Sequence, residues 1–96
     1  MEQRNIRVLI ADDHTVVRKG LTALLSAEKY GIEVVAEASN GNEAIEKSLQ
    51  LEPDVILMDL AMPGKNGLDA IAEIMQLQPQ ARILVLTSFA DDDNVT

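Results

Sequence analysis

The residues best placed to do chemistry in this 96-residue chain are carboxylates that end short apolar runs. Asp12 and Asp13 follow Val8-Leu-Ile-Ala11. Asp59 follows Val55-Ile-Leu-Met58, inside the stretch Pro53-Asp-Val-Ile-Leu-Met-Asp-Leu-Ala-Met-Pro63-Gly64. Both runs are too short for a helix and apolar enough for strands buried on both faces. Open parallel sheets bind their ligands at the carboxyl ends of such strands. Two carboxylates about 4 Å apart repel by roughly 4 kcal/mol at an effective dielectric of about 20, so an acidic cluster is relieved by a divalent cation. Oxygen donors with no His or Cys among them favour magnesium over zinc. Taken singly, each residue has a plainer reading: Asp59 satisfies N–H groups of the next loop, and Asp12 or Asp13 caps the helix that starts near His14. The pair set opposite Asp59 is what points to a metal.

Thr87 closes a further apolar run, Arg82-Ile-Leu-Val-Leu-Thr87, and Ser88 follows it. Its hydroxyl could reach an anion held at Asp59, although a lone strand-end threonine more often makes a turn hydrogen bond. His14 is the sole histidine. Beside an acidic pair at a helix start it reads as a solvated surface residue without a catalytic role. Lys65 reads as part of an exposed loop.

Positioning these groups takes alternating elements. Ile6 to Ala11 reads as a first strand. Thr15 to Ala27 spaces Val17, Leu21, Leu24 and Leu25 at helical intervals, with Arg18, Lys19 and Thr22 on the other side. Glu33 to Glu37, after Gly31, is a short strand flanked by charges, as expected at a sheet edge. The turn Ser39-Asn40-Gly41 leads into a second helical stripe, Ala44, Ile45, Ser48 and Leu49, closed by Pro53. Asn66 or Gly67 opens a third helix with Leu68, Ile71, Ile74 and Met75 on its inner face, and Pro79 ends it. Arg82 to Thr87 is the fourth strand, and Asp91, Asp92 and Asp93 start a helix cut short at Thr96. This alternation implies right-handed βαβ units and a doubly wound parallel sheet. The strands carrying Asp12-Asp13 and Asp59 would flank its switch point and share one crevice.

Composition narrows the function. Tyr30 and Phe89 are the only aromatic residues, so aliphatic side chains fill the core and base or flavin stacking has few candidates. Sixteen acidic against eight basic residues give a net charge of −8, which repels phosphate backbones and suits a cation or a basic partner. The absence of cysteine excludes disulfides and thiolate zinc sites and is compatible with a reducing cytoplasm. The opening residues are polar, and Val8 to Ala11 is too short for a signal peptide or a membrane span. One soluble, cytoplasmic domain without membrane contact is expected.

Asp12-Asp13, Asp59 within Leu-Met-Asp-Leu-Ala-Met-Pro-Gly, and Thr87-Ser88 together resemble the receiver domain of two-component response regulators, over the entire chain. Ala11-Asp-Asp-His14, Val17-Arg-Lys-Gly-Leu21, Glu37-Ala-Ser-Asn-Gly41 and Val85-Leu-Thr-Ser-Phe89 further resemble the NarL/FixJ branch, whose members usually carry a C-terminal LuxR-type helix-turn-helix. The resemblance implies a flavodoxin-like sheet in the order 2-1-3-4 over these strands. It implies that Asp59 takes a phosphoryl group from a sensor histidine kinase. It also implies that Asp13 and Asp59 bind magnesium directly, Asp12 mainly through water, and that the Ala61 backbone carbonyl completes the protein ligands. Thr87 would sense the aspartyl phosphate and switch position with it. A homodimer and DNA binding through a C-terminal domain outside this chain are further implications.

Receivers also have a lysine at the end of a fifth strand. The chain ends before that strand and the helix after it, and Lys19, Lys29, Lys47 and Lys65 all fall in helices or connections, so the receiver (1–96) reads as C-terminally incomplete. Ile83 to Leu86 would then form an apolar edge prone to association. A haloacid-dehalogenase-like phosphatase would need a second Asp where Ala61 stands. A flavodoxin-like electron carrier would need a hydroxyl-rich phosphate loop and aromatic partners. The alternative that survives is a receiver-like interaction module that works without phosphorylation.

Overall fold

Runs of Val, Ile and Leu favour extended backbone and bury alternate side chains on opposite faces of a sheet. The computed structural model describes residues 5–62 and 66–86. In it such runs form β1 (Ile6–Ala11), β2 (Ile32–Ala38), β3 (Val55–Asp59) and β4 (Ile83–Leu86), joined through helices α1 (Thr15–Leu25), α2 (Gly41–Leu51) and α3 (Gly67–Leu77). The strands are parallel, in the order β2-β1-β3-β4. β1 is therefore central, pairing Val8 to Ala11 with Val55 to Met58 of β3. Its register with β2 shifts after Val8, which faces Val34 while Leu9 faces Ala36, so Val35 is a bulge residue.

The two faces of the sheet build two cores. Leu9, Ala11, Ala38, Ile56 and Met58 point to the side covered by Ala44 and Ile45 of α2 and Ala70 and Ile74 of α3. Val8, Ile10 and Leu57 point to the other side, against Leu21 and Leu25 of α1. Helices on both faces are the expected doubly wound arrangement.

The strands follow the sequence reading closely, and the helical faces need correction. In α1 Leu21 and Leu25, one turn apart, make the contact, while Leu24 is 59% exposed and Val17 is also exposed. This helix packs a narrow line of side chains, with no residue fully buried. It ends at Leu25 rather than Ala27, and a single 3-10 turn, Glu28–Tyr30, follows. In α2 Leu49 is exposed and Gly41 joins Ala44, Ile45 and Ser48 on the inner face. In α3 the inner face is Gly67, Ala70 and Ile74, with Ile71 partly buried, whereas Leu68 is 64% exposed and Met75 is exposed. Small residues let this helix lie close to the sheet, and the larger side chains are left on its flanks. On β4 Leu84 and Val85 are exposed, and among the described residues this strand forms the sheet edge. Thr87, Asp91, Asp92, Asp93 and Lys65 lie outside the described residues.

Side chains fix the helix ends. Asn40 Oδ1 accepts from Glu43 N at 2.9 Å, and Glu43 Oε1 reaches back to Ser39 N at 2.8 Å and Ser39 Oγ at 3.1 Å, a variation on the capping box. These bonds hold the Glu43 carboxyl below its ordinary value, the Ser39 N–H being the largest cause. Asn66 Oδ1 accepts from Asp69 N at 2.9 Å and starts α3 in the same way. Ser48, fully buried in α2, accepts from Gln78 Nε2 at 2.8 Å and so ties the end of α3 to α2. Arg7 Nη1 donates to the Leu51 and Glu52 carbonyls at 2.8 and 3.2 Å, placing a cation where the α2 dipole is negative. α2 then ends on Glu52 at φ 47°, ψ 61°, a left-handed conformation that suits glycine. Glu52→Gly is expected to stabilise the protein by about 0.5–1 kcal/mol, read as a higher urea midpoint; a lower midpoint would show that the Glu52 side chain contributes more than the backbone strain costs.

Candidate functional site

The carboxyl ends of β1 and β3 lie side by side because these strands are neighbours, and the chain leaves each on an aspartate. Asp59 is the last residue of β3 and only 2% exposed; Asp12, just beyond β1, is also buried, and Asp13 is half-buried. Asp12, Asp13, Asp59 and His14 each offer one ligand atom, all within 4.8 Å of one another. The three predicted aspartates therefore converge, and His14 joins them.

The sequence reading left His14 on the solvated surface, where the structure also leaves it exposed, and the structure adds that its ring lies against the acidic pair. His14 N donates to Asp12 Oδ1 at 2.7 Å, and its Nδ1 lies 2.9 Å from the same oxygen and 3.2 Å from Asp13 Oδ1. The turn from Asp12 into α1 swings the imidazole back over the acidic pair, although half of the side chain stays exposed. The imidazole pKa is raised, first by the hydrogen bond to Asp12 and then by the Asp13 charge. An acidic pair immediately before a histidine was the available signal. The position reads as polar surface unless the ring is known to fold back.

Asp59 Oδ1 accepts from Ala61 N at 3.2 Å, while Asp59 Oδ2 and Asp13 Oδ1 are buried with no hydrogen-bond partner among the described residues. Burial is the main cause that raises the Asp59 pKa; the Ala61 N–H works against it, and the charges of Asp12 and Asp13 add to the rise. Buried carboxylate oxygens without a hydrogen-bond partner among the described residues, gathered at one strand end, are what a hard divalent cation would satisfy, so the donor set fits magnesium. Ala61, two residues beyond Asp59, is exposed.

Glycine brings α3 up to the same strand end. Gly67 N donates to the Leu60 carbonyl at 2.9 Å, and a Cβ at Gly67 would meet the Asp59 carbonyl and lie 2.5 Å from Leu60 Cα. The residue that opens α3 thus presses on the backbone that carries Asp59.

A second polar cluster, not foreseen in the sequence, braces the other side of β1. Glu37 of β2 accepts from Arg18 Nε at 3.1 Å, Thr22 Oγ1 at 3.0 Å and Lys19 Nζ at 3.3 Å, and Lys47 Nζ donates to the Glu37 carbonyl at 2.6 Å. Arg18 Nη1 also donates to the Asp12 carbonyl at 2.7 Å, linking this cluster to the acidic turn. Burial opposes ionisation of Glu37, but the hydrogen bonds from Thr22, Arg18 and Lys19 outweigh it and leave the pKa lowered. A lowered folded pKa adds stability above the ordinary glutamate value, and that stability is lost as the pH falls through the lowered one. Glu37→Gln is expected to cost about 1–2 kcal/mol at neutral pH and much less in acid, measured by urea unfolding at both. An equal cost at both would show that packing, not charge, holds this cluster. Lys19 and Lys47 lie in helices and Lys29 in the 3-10 turn.

Among the described residues no helix is long and apolar enough to cross a membrane. The sequence model of the response regulator receiver domain matches residues 8–96. The chain is 51% identical over 90 residues to the transcriptional regulatory protein LiaR of Bacillus subtilis, an alignment covering 94% of this chain and 42% of that protein. It thus spans about two fifths of the length of the curated relatives it matches. Among solved structures, the signal receiver domain of the response regulator NarL from Mycobacterium tuberculosis superposes with a TM-score of 0.82 at 33% identity, covering 88% of this chain and 68% of that one. The CheX–CheY–BeF3–Mg complex from Borrelia burgdorferi superposes with a TM-score of 0.82 at 27% identity, covering 88% and 63%. The sheet order, the strand-end aspartates and these matches agree: the chain belongs to the response regulator receiver domains of two-component systems, related to regulators of the LuxR/NarL type.

Proposed function

We propose that Asp59 is the phosphoacceptor of a response regulator, receiving a phosphoryl group from a sensor histidine kinase and returning it to water. The observation that carries this reading is the buried Asp59 carboxylate, one oxygen of which has no hydrogen-bond partner among the described residues, beside Asp12 and Asp13 at the carboxyl end of a central strand. In the transfer an Asp59 oxygen bonds to phosphorus as the phosphohistidine N–P bond breaks, and the imidazole of the kinase keeps the electron pair and takes a proton. Asp12, Asp13, Asp59 and the Ala61 carbonyl are the groups that would hold magnesium. Bound there, the cation offsets the charge of the carboxylates and of the incoming phosphoryl oxygens. Ala61 N, already donating to Asp59 Oδ1, orients the carboxylate and leaves the attack to its other oxygen, which has no hydrogen-bond partner among the described residues. The domain is a regulator that assists its own phosphorylation and dephosphorylation.

Thr87 is assigned the phosphate-sensing role on the family resemblance. Output is proposed to be transcription regulation from the cytoplasm, through a DNA-binding domain outside this chain, with homodimerisation on phosphorylation. LiaR is named as a transcriptional regulatory protein, which supports that assignment. The structure from Borrelia burgdorferi contains beryllium fluoride and magnesium, and it motivates the test. Titrating this chain with beryllium fluoride in the presence of Mg2+, followed by fluorine NMR, should give a bound signal that Asp59→Asn abolishes. No bound signal on the unmodified chain would favour the phosphorylation-independent interaction module.

A further inference from the structure

We propose that Arg18 is a positioning residue for the phosphoacceptor site: anchored on Glu37, it holds the peptide between Asp12 and Asp13 and so keeps their carboxylates gathered beside Asp59 before a cation binds. The inference rests on the reading above that these three aspartates hold the cation. It also gives a task to two stretches that the chemistry of Asp59 does not itself use, Val17-Arg-Lys-Gly-Leu21 in α1 and Glu37-Ala-Ser-Asn-Gly41 after the bulge of β2, which meet at this pair.

The peptide between Asp12 and Asp13 decides where both carboxylates lie, because its rotation turns the backbone of both residues. Asp12 N donates to the Ala38 carbonyl at 2.9 Å, and His14 N donates to Asp12 Oδ1 at 2.7 Å. The carbonyl of the peptide itself accepts from Arg18 Nη1 at 2.7 Å. Arg18 Nε donates at the same time to Glu37 Oε1 at 3.1 Å, so one planar guanidinium spans from the strand to the turn. Glu37 is in turn fixed by Thr22 Oγ1 and Lys19 Nζ on its other oxygen, at 3.0 and 3.3 Å, and by Lys47 Nζ on its backbone carbonyl at 2.6 Å. Only 14% of the Arg18 side chain and 20% of the Glu37 side chain are exposed, so water competes weakly for the pair.

A turn already held in place does not have to be ordered when the cation arrives, and ordering the backbone of one residue on binding lowers affinity by about tenfold. The guanidinium charge acts in the opposite sense, since it repels a cation. Lysine separates the two effects: it keeps the charge, but its single ammonium lacks the rigid fork that bonds Glu37 and the Asp12 carbonyl together.

Calorimetric titration with Mg2+ of the unmodified chain, Arg18→Lys and Lys47→Met, with urea unfolding of each, tests the proposal. Arg18→Lys is expected to bind Mg2+ about fivefold to tenfold more weakly. In the cation-free variant the carbonyl carbon resonance of Asp12 should also move upfield, the signature of a lost hydrogen bond. Lys47→Met removes a bond of the same cluster without touching Asp12, so its urea midpoint should fall while its Mg2+ affinity stays that of the unmodified chain. Unchanged Mg2+ affinity in Arg18→Lys, or an equal loss in Lys47→Met, would overturn the positioning role and leave the cation site standing. Mg2+ binding that Asp59→Asn does not weaken would overturn the cation site and this inference with it.

Discussion

Gly67→Ala is expected to destabilise the protein by about 3 kcal/mol, and Gly20→Ala to stabilise it by about 1 kcal/mol. The substitution is the same and only the surroundings differ. At Gly67 the new methyl group would collide with the backbone of Asp59 and Leu60, which cannot rotate away as a side chain can. Overfilling a packed site costs about 1–3 kcal/mol where side chains adjust, and a backbone obstacle puts this case at the upper end or beyond. Gly20 lies inside α1 with nothing within 4 Å of a built Cβ, so alanine there gains helix propensity without a clash. Urea unfolding of both variants gives the comparison. Shifts of the same sign would mean that the close approach of α3 to the end of β3 does not constrain the fold.

Asp59→Asn is expected to stabilise the protein without a divalent cation and to lose most or all of that advantage with one. Without one, the unmodified protein holds a buried carboxylate, one oxygen of which has no hydrogen-bond partner among the described residues, near two further acids, and removing that charge should stabilise the fold by about 1–3 kcal/mol. With Mg2+ at about a hundred times its dissociation constant, the unmodified protein gains about 2.7 kcal/mol from binding to the folded state alone. The variant should lose most of that gain. Thermal unfolding with EDTA and with excess Mg2+ should therefore show the advantage of the variant shrinking by about 2 kcal/mol or more when Mg2+ is added. If the difference between the two proteins is the same in both conditions, Asp59 does not contribute to a cation site.

The residues that carry this site were legible because their signals are local. A run of aliphatic residues ending in an aspartate states both the strand and the location of the acid, and Val8 to Ala11 and Val55 to Met58 do this without ambiguity. Their adjacency followed from the topology of parallel sheets, since alternating strands and helices leave few ways to wind. What escaped depends on distances between elements. A helical stripe identifies candidates for the inner face, but Gly67 and Ala70 brought α3 so close that Leu68 and Met75 fell outside the contact. Ser48 was placed on the inner face, yet its bond to Gln78 could not be foreseen from positions thirty residues apart. Glu37 looked like an edge-strand charge, and its partners come from α1, whose azimuth the sequence does not give. His14 is exposed, as its sequence position indicates, and only its contact with Asp12 and Asp13 escapes, because one turn of backbone decides whether the ring folds toward them.

The most direct test of the phosphoacceptor assignment is intact-protein mass after incubation with Mg2+ and a small acyl phosphate, run on the unmodified chain and on Asp59→Asn. The predicted result is a single phosphoryl adduct on the unmodified chain, absent from the variant and absent when the metal is chelated. An adduct of the same yield on Asp59→Asn would place the chemistry elsewhere. No adduct on either chain would contradict the assignment and leave a receiver fold that works as a phosphorylation-independent interaction module.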